Sequence, residues 1–129
     1  MKEQINNISY LEKNMIAIHG SKLKIKNANT EATLSKNQRI LLICLMKDIN
    51  EKSRIIELVW GGEDVNAKEM HYHQLIHKTR TRLTQKGFPN DFIMTIPRYG
   101  LCLNKDFLHS MFVEQDCKVS LKDKPIVLI

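Results

Sequence analysis

The sequence lacks any hydrophobic segment long enough to span a membrane. Its longest apolar run covers residues 40–46, whereas a membrane helix needs roughly 20 apolar residues. The first residues contain no apolar core of a signal peptide, so we expect no secretion signal. Internal repeats and low-complexity segments are also missing, which argues against a solenoid or a disordered tract.

Cysteine is scarce, and the motifs of common enzyme classes are missing. The cysteines Cys44, Cys102 and Cys117 are odd in number and widely spaced. They form neither a disulfide framework nor a zinc pattern, which fits a reducing compartment. No nucleophile elbow, phosphate-binding loop or dinucleotide glycine fingerprint occurs. We therefore expect no enzymatic activity and no cofactor, and we interpret Cys102 as a small hydrophobic residue rather than a redox sensor.

One spacing pattern is compatible with metal binding but is incomplete. Glu69, His73 and His77 recur every four residues on one predicted helix, and this spacing can place ligands on one helix face. No cysteine pair or further ligand lies nearby in the sequence. We therefore predict no metal site and interpret the two histidines as surface side chains.

The composition is that of a basic globular domain. The chain has 129 residues, of which 43% are hydrophobic and 26% are charged, so a single domain is expected. Lysine and arginine number 20 against 14 aspartates and glutamates, which gives a net charge of +6. This charge favours an anionic partner and by itself leaves nucleic acid and a membrane surface equally open.

The N-terminal part of the chain is predicted to form strands followed by a helix. Residues 8–34 read as short strands, because residues 15–18 are apolar and residues 22–26 alternate between polar and apolar side chains. Ser35 is a candidate N-cap for a core helix that ends near residue 48.

Two more helices and a hairpin are predicted to follow. We expect a second helix over residues 54–60, capped by Ser53 and ended by glycine, and a third over residues 66–86. Strands flanking a turn at residues 97–100 then form a hairpin. The prediction is an α+β domain over residues 1–105, with an N-terminal antiparallel sheet, three helices and a C-terminal hairpin. Residues 106–129 form an extension or linker.

The third predicted helix has two different faces. At about 100° per residue, a core stripe forms from Tyr72, Ile76, Thr79 and Leu83. The opposite face contains no carboxylate, and it consists of His71, Gln74, Lys78, Thr81 and Gln85, flanked by Met70, His77 and Arg82. Such side chains read DNA, since lysine binds guanine acceptors, glutamine binds adenine, and arginine and threonine bind phosphates. A solvated polar face is the alternative interpretation.

The positive charge is concentrated around this helix and the hairpin. Residues 66–105 contain seven basic and two acidic residues, so they carry five of the six net charges. Residues 106–129 contain three lysines and four acids. The basic surface therefore coincides with the third helix and the hairpin, as in a nucleic-acid-binding domain.

Residues 34–103 resemble the OmpR/PhoB-type winged helix-turn-helix domain, most closely its ToxR/CadC branch, which lacks a receiver domain. The matching pieces are Leu34-Ser35, Leu41-Leu42 and Leu45 in the first helix, Glu57-Leu58-Val59-Trp60 in the second, Ile76, Arg80 and Leu83 in the third, and Ile93-Met94-Thr95-Ile96-Pro97-Arg98 with Gly100 in the wing. Three positions depart from the family pattern. Thr79 replaces a leucine, and Leu101-Cys102 replaces a Tyr-Arg pair.

The resemblance implies a bacterial, sequence-specific transcription regulator, typically an activator. Helix 66–86 would enter the major groove of promoter DNA, and the wing at residues 97–100 would lie on the adjacent backbone or minor groove. The implied DNA-binding residues are His71, Gln74, His77, Lys78, Arg80, Thr81, Arg82, Arg98 and Tyr99. Glu63 and Asp64 lie in the loop where such domains contact RNA polymerase, and such proteins commonly bind repeated DNA elements as two copies.

Members of the ToxR-like branch carry a transmembrane helix after the domain. This chain ends on a lysine-rich segment and the apolar residues 126–129, which is compatible with the start of a membrane span or with a final strand. We expect a cytoplasmic domain, with a membrane-protein partner if the chain is tethered. The alternative function is a winged-helix interaction module that binds an acidic protein.

Overall fold

Six strands and three helices follow one another in the part of the chain that the computed structural model describes, which comprises residues 5, 8–13, 15–26, 28–61 and 66–104. The order of strands, three helices and a hairpin is the one that the sequence predicts, and the N-terminal strands, whose number the sequence does not predict, are four. Residues 105–129 lie outside the described residues, and so does the predicted extension.

The four N-terminal strands form one antiparallel sheet in sequence order. They are β1 (Tyr10–Lys13), β2 (Ile16–His19), β3 (Lys22–Ile25) and β4 (Glu31–Thr33). The alternation in β3 places Leu23 and Ile25 in the core and the lysines in solvent, because successive side chains of a strand point to opposite faces.

Helix α1 (Lys36–Met46) is the central element of the core. Its last seven residues, from Ile40 to Met46, are all buried. The predicted N-cap is confirmed, since the Ser35 hydroxyl accepts from the Gln38 backbone N–H at 3.3 Å and Gln38 Oε1 accepts from the Ser35 N–H at 2.9 Å. This reciprocal pair is a capping box, which satisfies two backbone donors that the helix cannot.

Helix α2 (Lys52–Trp60) begins two residues earlier than predicted, so Ser53 is not its N-cap. The N-cap position is Glu51, whose side chain makes no capping hydrogen bond. The Lys52 N–H instead donates to the carbonyl of Tyr99 at 2.9 Å. A distant backbone carbonyl thus replaces the local cap. Gly61 ends the helix in the left-handed conformation, at φ 104°.

Helix α3 (Glu69–Gln85) follows a 3-10 turn at Asn66–Lys68. The predicted core stripe is confirmed, since Tyr72, Ile76, Thr79 and Leu83 are buried, and Leu75 joins them. The Thr79 hydroxyl donates to the Leu75 carbonyl at 2.7 Å. This bond satisfies a buried polar group where the resembled family has leucine.

Strands β5 (Ile93–Ile96) and β6 (Gly100–Leu103) form the C-terminal hairpin. It is attached to the α1–α2 connection, because the Leu101 N–H donates to the Asn50 carbonyl at 2.9 Å and Glu51 bridges to Gly100. A Cβ at Gly100 would lie 1.8 Å from the Asn50 carbonyl oxygen. Only glycine permits this approach.

The helices and both sheets enclose one hydrophobic core that includes Ile16, Leu41, Ile55, Leu83 and Phe92. Burial raises the pKa of the Cys44 thiol in this core to about 12, so the thiol is protonated. The fold is therefore α+β, with three helices, a four-stranded sheet and a two-stranded sheet, all antiparallel. Across the described ranges, every helix is too short or too polar to cross a membrane.

Candidate nucleic-acid interface

The outer face of α3 is a continuous polar surface without carboxylates. His71, Gln74, His77, Lys78 and Thr81 are all exposed along it, as is Gln85 near its end. Met70 lies beside these polar groups but is apolar, and 69% of its surface is exposed. Because α3 buries the opposite stripe, this face is fixed in direction, and its donors point away from the core.

The acidic residue of α3, Glu69, lies at the first turn and is already paired. Its carboxylate accepts from Lys52 Nζ at 2.9 Å and lies 3.6 Å from His73 Nε2. The hydrogen bond from Lys52 lowers the pKa of Glu69, with His73 contributing less. Among the described residues, no group of three or more side chains could hold a metal ion. Glu69 forms its ion pair with Lys52, and His73 lies beside this pair.

Arg80 connects α3 to the hairpin instead of projecting from the outer face. Its guanidinium donates to the Ile93 carbonyl from Nε at 3.2 Å and from Nη2 at 2.9 Å, and Nη2 also donates to Thr95 Oγ1 at 2.9 Å. A planar guanidinium makes such forked contacts with fixed geometry. Arg80 therefore sets the position of β5 against α3, and its predicted contact with DNA stays a prediction.

Arg82 lies at the border of the outer face and is anchored to the N-terminal sheet. Its Nε donates to the carbonyl of Thr33 at 3.1 Å. This bond fixes the guanidinium, and its two terminal nitrogens make no hydrogen bond among the described residues. A donor held in this way loses little conformational freedom when it binds an anion.

The hairpin turn presents Arg98 in an unusual backbone conformation. The Tyr99 N–H donates to the Ile96 carbonyl at 3.0 Å, which closes a four-residue turn with Pro97 at its second position. Arg98, at the third position, has φ 63°. With proline before it, this is the type II pattern, which favours glycine there. The side chains of Arg98 and Tyr99 are exposed, and Tyr99 is 51% accessible.

Lys78 and Arg98 form no ion pair within the described ranges. Their charges are therefore not neutralised by the described carboxylates. Trp60, at the end of α2, packs partly on the core and lies 6.2 Å, between ring centroids, from His71. The end of α2 therefore lies close to the first residue of the outer face.

Several predicted site residues are brought together, and others lie outside the description. His71, Gln74, His77, Lys78 and Thr81 share one face of α3. The predicted polymerase-contact residues Glu63 and Asp64 lie outside the described residues. Sequence reasoning does not find that Thr95 is a partner of Arg80 or that Gln38 lies beside α3, because both contacts join segments that are distant in the chain.

Comparison with known protein families and with curated proteins finds no match for this sequence. The functional inference therefore depends on the geometry and charge of the site.

Proposed function

We propose that this protein is a sequence-specific DNA-binding transcription regulator with a winged helix-turn-helix fold. In this proposal α2 and α3 form the helix-turn-helix, α3 enters the major groove, and the β5–β6 hairpin is the wing. The observation that supports it most is the exposed, carboxylate-free face of α3, together with a hairpin that Arg80 bonds to α3 and whose turn exposes Arg98 at φ 63°. The lysine, arginine and amide side chains of this face can donate hydrogen bonds to the base edges and phosphates of a DNA groove.

The chemistry of the outer face suggests a division of roles. Gln74 and Lys78 are four residues apart, which places them about 6 Å apart along the helix axis. Gln74 has the donor and acceptor pair that suits adenine, and Lys78 has a cation for the acceptors of guanine. Thr81 and Arg82 lie further towards the end of α3 and suit phosphate oxygens.

The hairpin turn supports a backbone or minor-groove contact. An arginine at positive φ costs roughly 1 kcal/mol relative to glycine. Strain of this kind is concentrated at functional positions. The cost at Arg98 is explained if its guanidinium binds phosphates or the minor groove, with Tyr99 beside it.

Further parts of the proposal concern partners. Contact of RNA polymerase with Glu63 and Asp64, self-association on repeated DNA elements, transcriptional activation and a membrane tether after residue 129 are expectations from the family resemblance. A footprint of the protein on its promoter would show whether one or two copies bind.

A gel-shift titration tests the proposal. The protein is expected to bind DNA from upstream of its own gene or operon more tightly than random DNA, with affinity that falls steeply with salt. Binding that does not distinguish the two DNAs would weaken the claim of sequence specificity. Absence of any DNA binding at about 50 mM salt, where phosphate contacts are strong, would overturn the proposal. Salt-sensitive binding to an acidic protein instead would favour the interaction-module alternative.

A further inference from the structure

A surface groove runs between the first turn of α1 and the second half of α3. Six residues line it: Gln38, His77, Lys78, Thr81, Arg82 and Gln85. Each of these side chains carries at least one hydrogen-bond donor, and none is a carboxylate. The groove continues the outer face of α3 onto a helix that the proposed function leaves unused.

Two of the lining side chains are held in place by bonds that leave donors free for a ligand. Gln38 Oε1 accepts from the Ser35 N–H at 2.9 Å, so the acceptor end of the amide is used in the capping box. Arg82 Nε donates to the Thr33 carbonyl at 3.1 Å, which leaves the two Nη groups. Among the described residues, the NH2 group of Gln38 and the Nη groups of Arg82 make no hydrogen bond.

We propose that this groove binds one phosphodiester group of the DNA backbone that flanks the major groove, with Gln38 and Arg82 as its principal ligands. The inference rests on the proposed function, and it extends the interface from α3 to α1. Phosphate oxygens are the acceptors that fit, because the groove supplies several donors and net positive charge without a competing acid. Lys78 and Thr81 border both the groove and the outer face, so a strand bound at one surface runs directly onto the other.

The variant that tests this site is Gln38→Glu. Glutamate keeps the oxygen that accepts from the Ser35 N–H and is itself a standard residue of the capping box, so α1 is expected to remain capped. It replaces the donor NH2 group with a negative oxygen facing the groove. The expected result is DNA affinity reduced about tenfold or more, with an unchanged or higher midpoint of thermal unfolding.

The matched control is Ser9→Asp, which adds one negative charge before β1. That strand lies at the edge of the sheet opposite β4, to which Arg82 is attached. The Debye length is about 8 Å at physiological ionic strength, so affinity should stay within about twofold. Equal losses for both variants would indicate a general charge effect and would overturn the phosphate site.

A chemically altered DNA gives the decisive second measurement. Methylphosphonates, which lack the phosphate charge, are introduced one at a time along the strands that flank the footprint. One position is expected to weaken wild-type binding and to restore part of the affinity that Gln38→Glu loses, because the repelled charge is gone. No position with this reciprocal effect would overturn the site. If no methylphosphonate position shows the reciprocal effect but inorganic phosphate, at constant ionic strength and without DNA, stabilises the wild type and not Gln38→Glu, the groove binds a free anion and the DNA contact is overturned.

The two proposals fail in different ways. A wild-type protein that binds no DNA overturns the proposed function. A wild-type protein that binds promoter DNA no more tightly than Gln38→Glu overturns only the phosphate site on α1.

Discussion

The lysines of the N-terminal sheet and the basic residues of α3 and the hairpin differ in what neutralises them. On the sheet, Lys22 and Lys24 lie 3.5 and 3.8 Å from the carboxylate of Glu31, and Lys26 pairs with Glu12. On α3 and the hairpin turn, Lys78 and Arg98 have no carboxylate partner among the described residues. The same residue types therefore serve internal charge balance in one region and remain available to an external anion in the other.

This difference identifies the binding surface better than net charge does. A paired lysine has a carboxylate beside it that repels an approaching phosphate, so less of its positive charge is available to DNA. An unpaired lysine on a rigid helix releases a counterion from DNA when it binds, and no neighbouring carboxylate opposes its attraction to phosphate. The count of positive charges is therefore less informative than the number that no acid already neutralises.

The largest effect is expected from reversing the charge of Lys78, and the same change at Lys24 on the sheet is its control. Lys78→Glu should reduce DNA affinity about 100-fold, since it removes a charge-assisted contact and adds repulsion in the groove. Lys24→Glu changes the net charge equally and should alter affinity by less than about threefold, because it lies on the sheet. Gel-shift titrations at one salt concentration compare them. Equal losses would mean that overall charge, and not the face of α3, controls binding.

The second prediction concerns Arg80, whose positive charge is directed at neutral oxygens. Arg80→Lys keeps the charge but cannot reach the Ile93 carbonyl and Thr95 together, so the free energy of unfolding should fall by about 1.5 kcal/mol. DNA affinity should fall as well, because β5 loses its fixed position against α3. Denaturant titration and gel shift provide the two measurements.

Thr95→Val is the matched control for Arg80. It removes one acceptor of the guanidinium and leaves the Ile93 carbonyl, so it should reproduce part of the loss in stability, about 0.5–1 kcal/mol. If Arg80→Lys weakened DNA binding without any loss of stability, Arg80 would be a direct DNA contact, and its link to the hairpin would be secondary.

The sequence predicts those features that depend on local periodicity. The stripe of Tyr72, Ile76 and Leu83 follows from the 3.6-residue repeat, and the exposed face with Gln74 and Lys78 follows from the same repeat. The Ser35 cap is likewise a local pattern, and the structure confirms it.

The features that the sequence does not predict depend on contacts between distant segments. Ser53 is an acceptable local cap, yet α2 begins at Lys52 because the Tyr99 carbonyl reaches it from the hairpin turn. The sequence predicts Arg82 as a DNA contact, but it does not predict the hydrogen bond from Arg82 to Thr33, 49 residues away. The sequence also does not predict the positive φ of Arg98, because glycine is the residue that usually indicates that conformation.

The third prediction separates stability from binding at the hairpin turn. Arg98→Gly should raise the free energy of unfolding by about 0.5–1 kcal/mol, because glycine adopts φ 63° without steric cost. It should nevertheless reduce DNA affinity about tenfold by removing the guanidinium. Arg98→Lys, which keeps the charge and the strain, should bind with an intermediate affinity. A stabilised Arg98→Gly variant with full affinity would exclude the turn from the interface.

The smallest effect on DNA affinity is expected when a lysine of the sheet region loses its carboxylate partner. Glu12→Gln leaves Lys26 without a carboxylate, and if unpaired charge alone were sufficient, DNA affinity would rise. We expect a change of less than about twofold, because Lys26 lies beside the sheet and not on the face proposed to contact DNA.

The same ion pair has an effect on stability that depends on pH. The hydrogen bond from Lys26, with a further one from Tyr10, lowers the pKa of Glu12 below its ordinary value of 4.5. The pair therefore stabilises the fold above that pH and loses its contribution as the pH falls through the lowered pKa. Acid unfolding of Glu12→Gln should lack this component, while its DNA titration at pH 7 should overlay that of the wild type. An increase in affinity comparable to the loss in Lys78→Glu would mean that pairing state alone, independent of position, defines the interface.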